Sequence, residues 1–145
     1  MTEPFAEATP QKVVVVPCSG IGKSYGTVTR EAAYRVVEDL CPDTTHIVPL
    51  SLLVLGDEQA QEAVRGVQVI TIDGCKLACA TINVGQAGGQ VAREFTVLDC
   101  YRRNKQFKPQ GIAELNEGGM ALAQALAQEV AQAAGELSAQ GGTHA

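Results

Sequence analysis

The chain has 145 residues, 46% of them hydrophobic and 19% charged, enough to bury one core and too few for two ordinary domains. Sixteen acidic against eleven basic residues leave a net charge of -5, with three tyrosines, three phenylalanines and no tryptophan, which excludes a broad phosphate-neutralising face and a base-stacking platform, so no nucleic-acid partner is expected. No apolar run approaches the ~20 residues that span a bilayer, and the acidic stretch from Met1 to Gln11 lacks the order of an export signal, so the expectation is a cytoplasmic protein with no membrane attachment.

Residues 1–11 read as a flexible segment, and the first element is Lys12 to Pro17, a β-branched run apolar on both faces, as a central parallel strand is. Cys18 to Gly22 follows as a loop. A helix pattern starts at Thr27 or Thr29, with Thr29 as a candidate cap, and runs along Ala32, Ala33, Val36, Val37 and Leu40 until Cys41-Pro42 stops it. Thr44 to Leu50 reads as a second strand, and Asp57 to Arg65 as a short helix between Asp57 and Gly66. Val67 to Asp73 is the third strand; Gly74 turns the chain, and Cys75 to about Val84 is expected to be helical. Phe95 to Asp99, extendable back to Val91, is the fourth strand.

Ile112, Leu115, Leu122, Leu126, Val130, Ala133 and Leu137 recur at helical spacing, with Gly118-Gly119 as a break or a tight packing point. Residues 138–145 read as a flexible tail. Strands alternating with helical segments predict a single α/β domain over residues 12–137, three-layered and Rossmann-like, on a mainly parallel sheet of about four strands. Ligands in such folds gather at the carboxyl ends of the strands.

Five cysteines in a reducing compartment do not make a disulfide framework, which leaves metal binding, thiol chemistry or plain burial. Cys18, Cys75 and Cys100 each follow a predicted strand and so fall on one rim of the sheet. Cys79, four residues beyond Cys75, shares its face if a helix starts there. Cys41 ends the first crossover helix and belongs at the opposite end. Converging thiolates suit a soft divalent ion, zinc being the usual occupant, and an iron-sulfur cluster is the alternative. A helix N-terminus at Cys75, with Lys23 and Lys76 expected to add positive charge near the rim, favours deprotonation.

Pro17-Cys18-Ser19-Gly20, Arg30-Glu31-Ala32 and, above all, Ile72-Asp73-Gly74-Cys75 with Cys79-Ala80 resemble the DGC domain proteins, a family named for its Asp-Gly-Cys triplet and described as zinc-binding. The resemblance runs from Lys12 through Lys108-Pro109-x-Gly111-Ile112 into the final helix. It implies four cysteines, of which Cys18, Cys75 and Cys79 match by motif. For the fourth, Cys41 is a family candidate and Cys100 the geometric one; relatives can also carry a cysteine near the end of the second strand, where this chain reads Val48-Pro49-Leu50.

Rival chemistries centre on the first loop. Pro17 to Ser24 falls one residue short of a nucleotide-binding P-loop, because Pro17 stands where the first glycine belongs and offers no N–H. ATP hydrolysis is therefore not expected, although a small anion on Gly20, Gly22 and Lys23 is compatible with the remaining loop. A thiol-based enzyme, transferring sulfur or reducing an oxyanion through Cys18 or Cys75, is the enzymatic alternative. Against it, Ser24 stands where cysteine phosphatases and arsenate reductases place their oxyanion-binding arginine. His46 reads as a packed or edge residue, and Arg102, Arg103, Lys105 and Lys108 as a solvated basic run able to dock an anionic partner.

Overall fold

The computed structural model describes residues 12–20, 23–75 and 77–143. Four strands, β1 (Val13–Pro17), β2 (Thr45–Ile47), β3 (Gln68–Asp73) and β4 (Gln90–Thr96), pair in parallel in the order β2-β1-β3-β4. Strict parallelism means helices must cover both faces, and alternate side chains divide between them. Val13, Val15, Ile70 and Ile72 face a core shared with α1 (Ser24–Arg35), α5 (Val97–Arg103) and α6 (Glu117–Thr143). Val14, Val16 and Val69 face a smaller core under α2 (Leu50–Leu55), α3 (Glu58–Val64) and α4 (Cys79–Gln86). The predicted three-layer α/β fold is the one observed.

Several local expectations hold for the reasons given. Asp57 caps α3 by accepting a hydrogen bond from Ala60 N at 2.9 Å, and Gly66 turns the chain at φ 72°, where a side chain would be strained. Gly118-Gly119 is a packing point in the first turn of α6, which starts at Glu117, so Ile112 and Leu115 of the expected pattern precede the helix: a Cβ on Gly118 would stand 2.4 Å from the Lys108 carbonyl oxygen, while the Asn116 side chain accepts from Gly119 N at 2.8 Å.

Other expectations need correcting. The first helix begins at Ser24, ahead of Thr29, which is fully buried inside it; it then widens into a π-turn over Val36–Leu40 before Cys41. The second strand is only Thr45–Ile47, and Leu50–Leu55 is helical, closed by Gly56 at φ 80°. The fourth strand lies at Gln90–Thr96, and Val97–Arg103 is helical because the Thr96 hydroxyl accepts from Asp99 N at 3.0 Å and starts a helix there. Residues expected as a tail continue α6 to Thr143. Among the described residues, no helix is long and apolar enough to cross a membrane.

Candidate metal and ligand site

Strand register builds the site. Pro17 pairs with Ile72, so Cys18 emerges beside Asp73, and Cys18 N donates to the Ile72 carbonyl at 2.8 Å. Two side chains of α1 fix the turn that follows. The buried Thr29 hydroxyl lies 2.7 Å from the Cys18 carbonyl and 2.6 Å from that of Gly26, donating to either, and the Arg30 guanidinium donates to the Ser19 carbonyl. Gly20 and Gly26 then meet backbone to backbone, for a Cβ on Gly26 would come within 2.2 Å of the Gly20 carbonyl oxygen. The Pro-Cys-Ser-Gly and Arg-Glu-Ala motifs are thus two halves of one clamp.

The Asp-Gly-Cys triplet has an equally concrete explanation. Asp73 is 2% exposed, and its carboxylate reaches forward to the start of α4, accepting from Ala80 N at 2.7 Å, Thr81 N at 3.2 Å and the Thr81 hydroxyl at 2.9 Å. It is a cap supplied from the strand, since Ala78, the residue in the cap position, has no side-chain acceptor and sits in the left-handed region at φ 55°. Gly74 leaves room for Tyr25, whose Cβ would be 3.3 Å from an added Cβ, and its N–H faces the Cys18 thiol, as does that of Gly20.

The cap also corrects the expected helix. α4 starts at Cys79 and not Cys75, so the two cysteines do not share a helical face; Cys75 stands on the connection from β3. The two nevertheless meet Cys18 around one cavity of about 660 Å³, whose walls include Tyr25, Leu50, Val54 and Leu77, with Lys23 and Asn83 also on the lining. Cys75 and Cys79 are exposed and Cys18 is half-buried. Burial pushes the Cys18 thiol up, with the Asp73 charge adding to it, against the lowering effect of the Gly74 and Gly20 amides. Among the described residues, no three His, Cys, Asp or Glu side chains stand close enough together to hold a metal ion as they are placed.

Cys100 is not on the cavity lining. It is buried in α5 on the opposite face of the sheet, its thiol 3.9 Å from a Glu129 carboxylate oxygen and 3.7 Å from Asn104 Nδ2. Burial, reinforced by Glu129, raises that thiol to about 11. The expectation that Cys100 directly follows a strand fails because the strand ends at Thr96. Cys41, expected at the far end, stands just ahead of β2 and packs on the α6 face, its thiol 3.8 Å from the Ala131 carbonyl.

The remaining candidates are more scattered. Gly22 and Lys76 lie outside the described residues. Of the anion-binding set, Gly20 is held against Gly26, and Lys23 lines the cavity while its N–H donates to the Gly20 carbonyl at 3.2 Å. The amides of Cys18 and Lys23 are therefore already committed. His46 sits on β2 opposite Val14, with its pKa lowered by burial and then by Lys12. Arg102 and Arg103 belong to the last turn of α5, where they pair with Asp99 at 3.5 Å and Glu129 at 2.6 Å.

Sequence reasoning missed the Asp73 cap, the Thr29 and Arg30 clamp, and the apolar wall from α2. Asp73 acts seven and eight residues ahead, outside the short windows in which caps are recognised. The α2 helix carried one readable signal, Gly56 directly after Leu50–Leu55.

No characterised protein and no solved structure gives a significant match to the chain. A family model does, the DGC domain, over residues 14–118, a span that holds β1 from Val14 onward, β2 to β4, the clamp, the Asp73 cap and all three cavity cysteines. The chain belongs to the DGC domain family.

Proposed function

We propose that this protein binds zinc through Cys18, Cys75 and Cys79 at the carboxyl rim of its sheet. The observation that carries the reading is that three thiols, one from the loop after β1 and two from the stretch that leads from β3 into α4, line one cavity. Sulfur donors of this kind suit a soft ion, and family membership points to metal binding. The three sulfurs are not gathered as they stand, so holding a metal would require Cys75, on the irregular connection from β3, to approach Cys18 and Cys79. The last two are better fixed, Cys18 by the clamp and Cys79 by the capped start of α4.

Asp73 serves the site indirectly, its oxygens being occupied by α4 and its negative charge lying beside Cys18. A zinc ion would offset that charge and take the place of the thiol protons, which pass to solvent. Elemental analysis of purified protein tests the proposal: about one zinc per chain is expected, and sharply less in Cys18→Ser, Cys75→Ser and Cys79→Ser. Brown colour with iron and sulfide would replace zinc with a cluster.

The thiol-enzyme reading gains no support from Cys18. An activated nucleophile needs a lowered thiol pKa, and here burial and Asp73 raise it.

A further inference from the structure

We infer that the cavity at the rim binds a small organic carboxylate, its charged head against Lys23 at the start of α1 and its apolar body against Leu50, Val54 and Leu77. This binding needs no metal and is independent of the proposed zinc site.

Size and the origin of the walls are the first observation. The cavity volume of about 660 Å³ lies within the roughly 300–1,000 Å³ of ordinary small-molecule sites. Its lining comes from both layers of the fold. Leu50 and Val54 belong to α2 on one side of the sheet, with Leu77 on the connection ahead of α4, whereas Lys23 and Tyr25 stand at the start of α1, which packs on the other side. A molecule that fills the space meets hydrocarbon from one layer and a cation from the other.

The apolar wall is the second. Leu50, 5% exposed, forms a fixed floor, while Val54 at 63% and Leu77 at 70% stand open. Apolar side chains at a concave mouth gain from a ligand that removes them from water. Across the cavity the Tyr25 ring is held by an edge contact with Tyr101, 6.4 Å between centroids.

Charge is the third. Lys23 is exposed and, among the described residues, joins no ion pair. It precedes a helix with no acidic residue in its first turn and no side-chain cap, and the partial positive charge of that helix end acts in the same sense. α4 also begins at the cavity, but there Asp73 already supplies the acid. Two features limit the head to a single charge. Asp73 keeps a carboxylate in the lining and the chain carries a net charge of -5, so a doubly charged head is repelled. The amides of Cys18 and Lys23 are engaged within the protein, so a phosphate finds no full cradle of N–H groups.

NMR titration of the reduced, full-length protein without added metal tests this with 4-phenylbutyrate, its uncharged amide, acetate and inorganic phosphate. 4-Phenylbutyrate is expected to bind roughly threefold or more tighter than the amide, because an exposed cation and a helix end each contribute modestly. It should bind about tenfold or more tighter than acetate, which lacks the apolar body. Lys23→Gln should erase the preference over the amide and keep that over acetate. The double variant Val54→Asn with Leu77→Asn, both at exposed positions, should do the reverse. Equal binding of amide and carboxylate to the parent, phosphate binding as tightly as 4-phenylbutyrate, or no saturable binding overturns the inference. A preference over the amide that survives Lys23→Gln overturns it as well. Zinc content of the cysteine variants bears on neither preference, so the two proposals stand or fall separately.

Discussion

The two faces of the sheet are built for different ends. Over one face, α1, α5 and α6 bury Val28, Leu122, Leu126 and Val130 completely, and even a cysteine there, Cys100, is sealed against Glu129. Over the other, three short helices cover a smaller core and leave Val54, Leu55, Leu77 and Ile82 largely exposed around or near the cavity. The same residue type is packing on the first face and a ligand candidate on the second. A cysteine's role therefore follows from its element and its neighbours, and counting cysteines along the chain does not reveal it.

Substitutions on the first face should cost stability without touching the site. Leu126→Ala removes a fully buried side chain and is expected to lower unfolding free energy by about 2–5 kcal/mol, with zinc affinity of the folded protein unchanged. Urea unfolding and a metal competition titration check the two halves. A large loss of affinity alongside normal folding would couple the faces.

Asp73→Ala joins fold and site, so both readouts should move. Leaving the α4 amides without their charged acceptor is expected to cost about 2–3 kcal/mol and to weaken zinc binding at least tenfold, since Cys79 begins that helix. Asp73→Asn, which keeps one acceptor oxygen, should recover part of each. Affinity untouched by Asp73→Ala would separate the cap from the cysteines.

Alkaline pH probes the sealed thiol. In the unfolded chain Cys100 ionises near pH ~8.5, while in the folded protein its pKa is about 11. Its contribution is fully present below the lower value and declines as pH rises toward the upper one, by roughly 2–3 kcal/mol over that window. Cys100→Ala should flatten this part of the stability profile; an identical slope would contradict the burial argument. In the cavity, by contrast, the raised Cys18 pKa means that zinc affinity should increase with pH through the neutral range, because thiol protons are displaced on binding.

The smallest effect is expected on the exposed part of the second face. Leu55→Gln, at 79% exposure, should change stability by no more than about 0.5 kcal/mol, measured by the same urea titration.

The sheet was legible from sequence because β1 and β3 each contain a continuous β-branched run, residues 13–16 and 69–72, as strands covered on both faces do. Cys18 and Cys75 could be assigned to one rim from strand ends alone. Cys100 misled because a β-like run, Phe95 to Leu98, crosses from strand to helix at Thr96, and the decisive signal was a polar side chain, Thr96 three residues before Asp99, outweighed by the apolar pattern. Cys79 reached the site by a different route from the one its spacing suggested. The helix starts four residues later than expected because of Asp73 and the left-handed Ala78, a tertiary cap that no local period records.

Zinc content measured in parallel on the parent protein and its five single Cys→Ser variants tests the central claim most directly. The account predicts about one zinc per chain in the parent, Cys41→Ser and Cys100→Ser proteins, and a sharp loss in Cys18→Ser, Cys75→Ser and Cys79→Ser. Full occupancy in the cavity variants, or loss only in Cys41→Ser or Cys100→Ser, would contradict it.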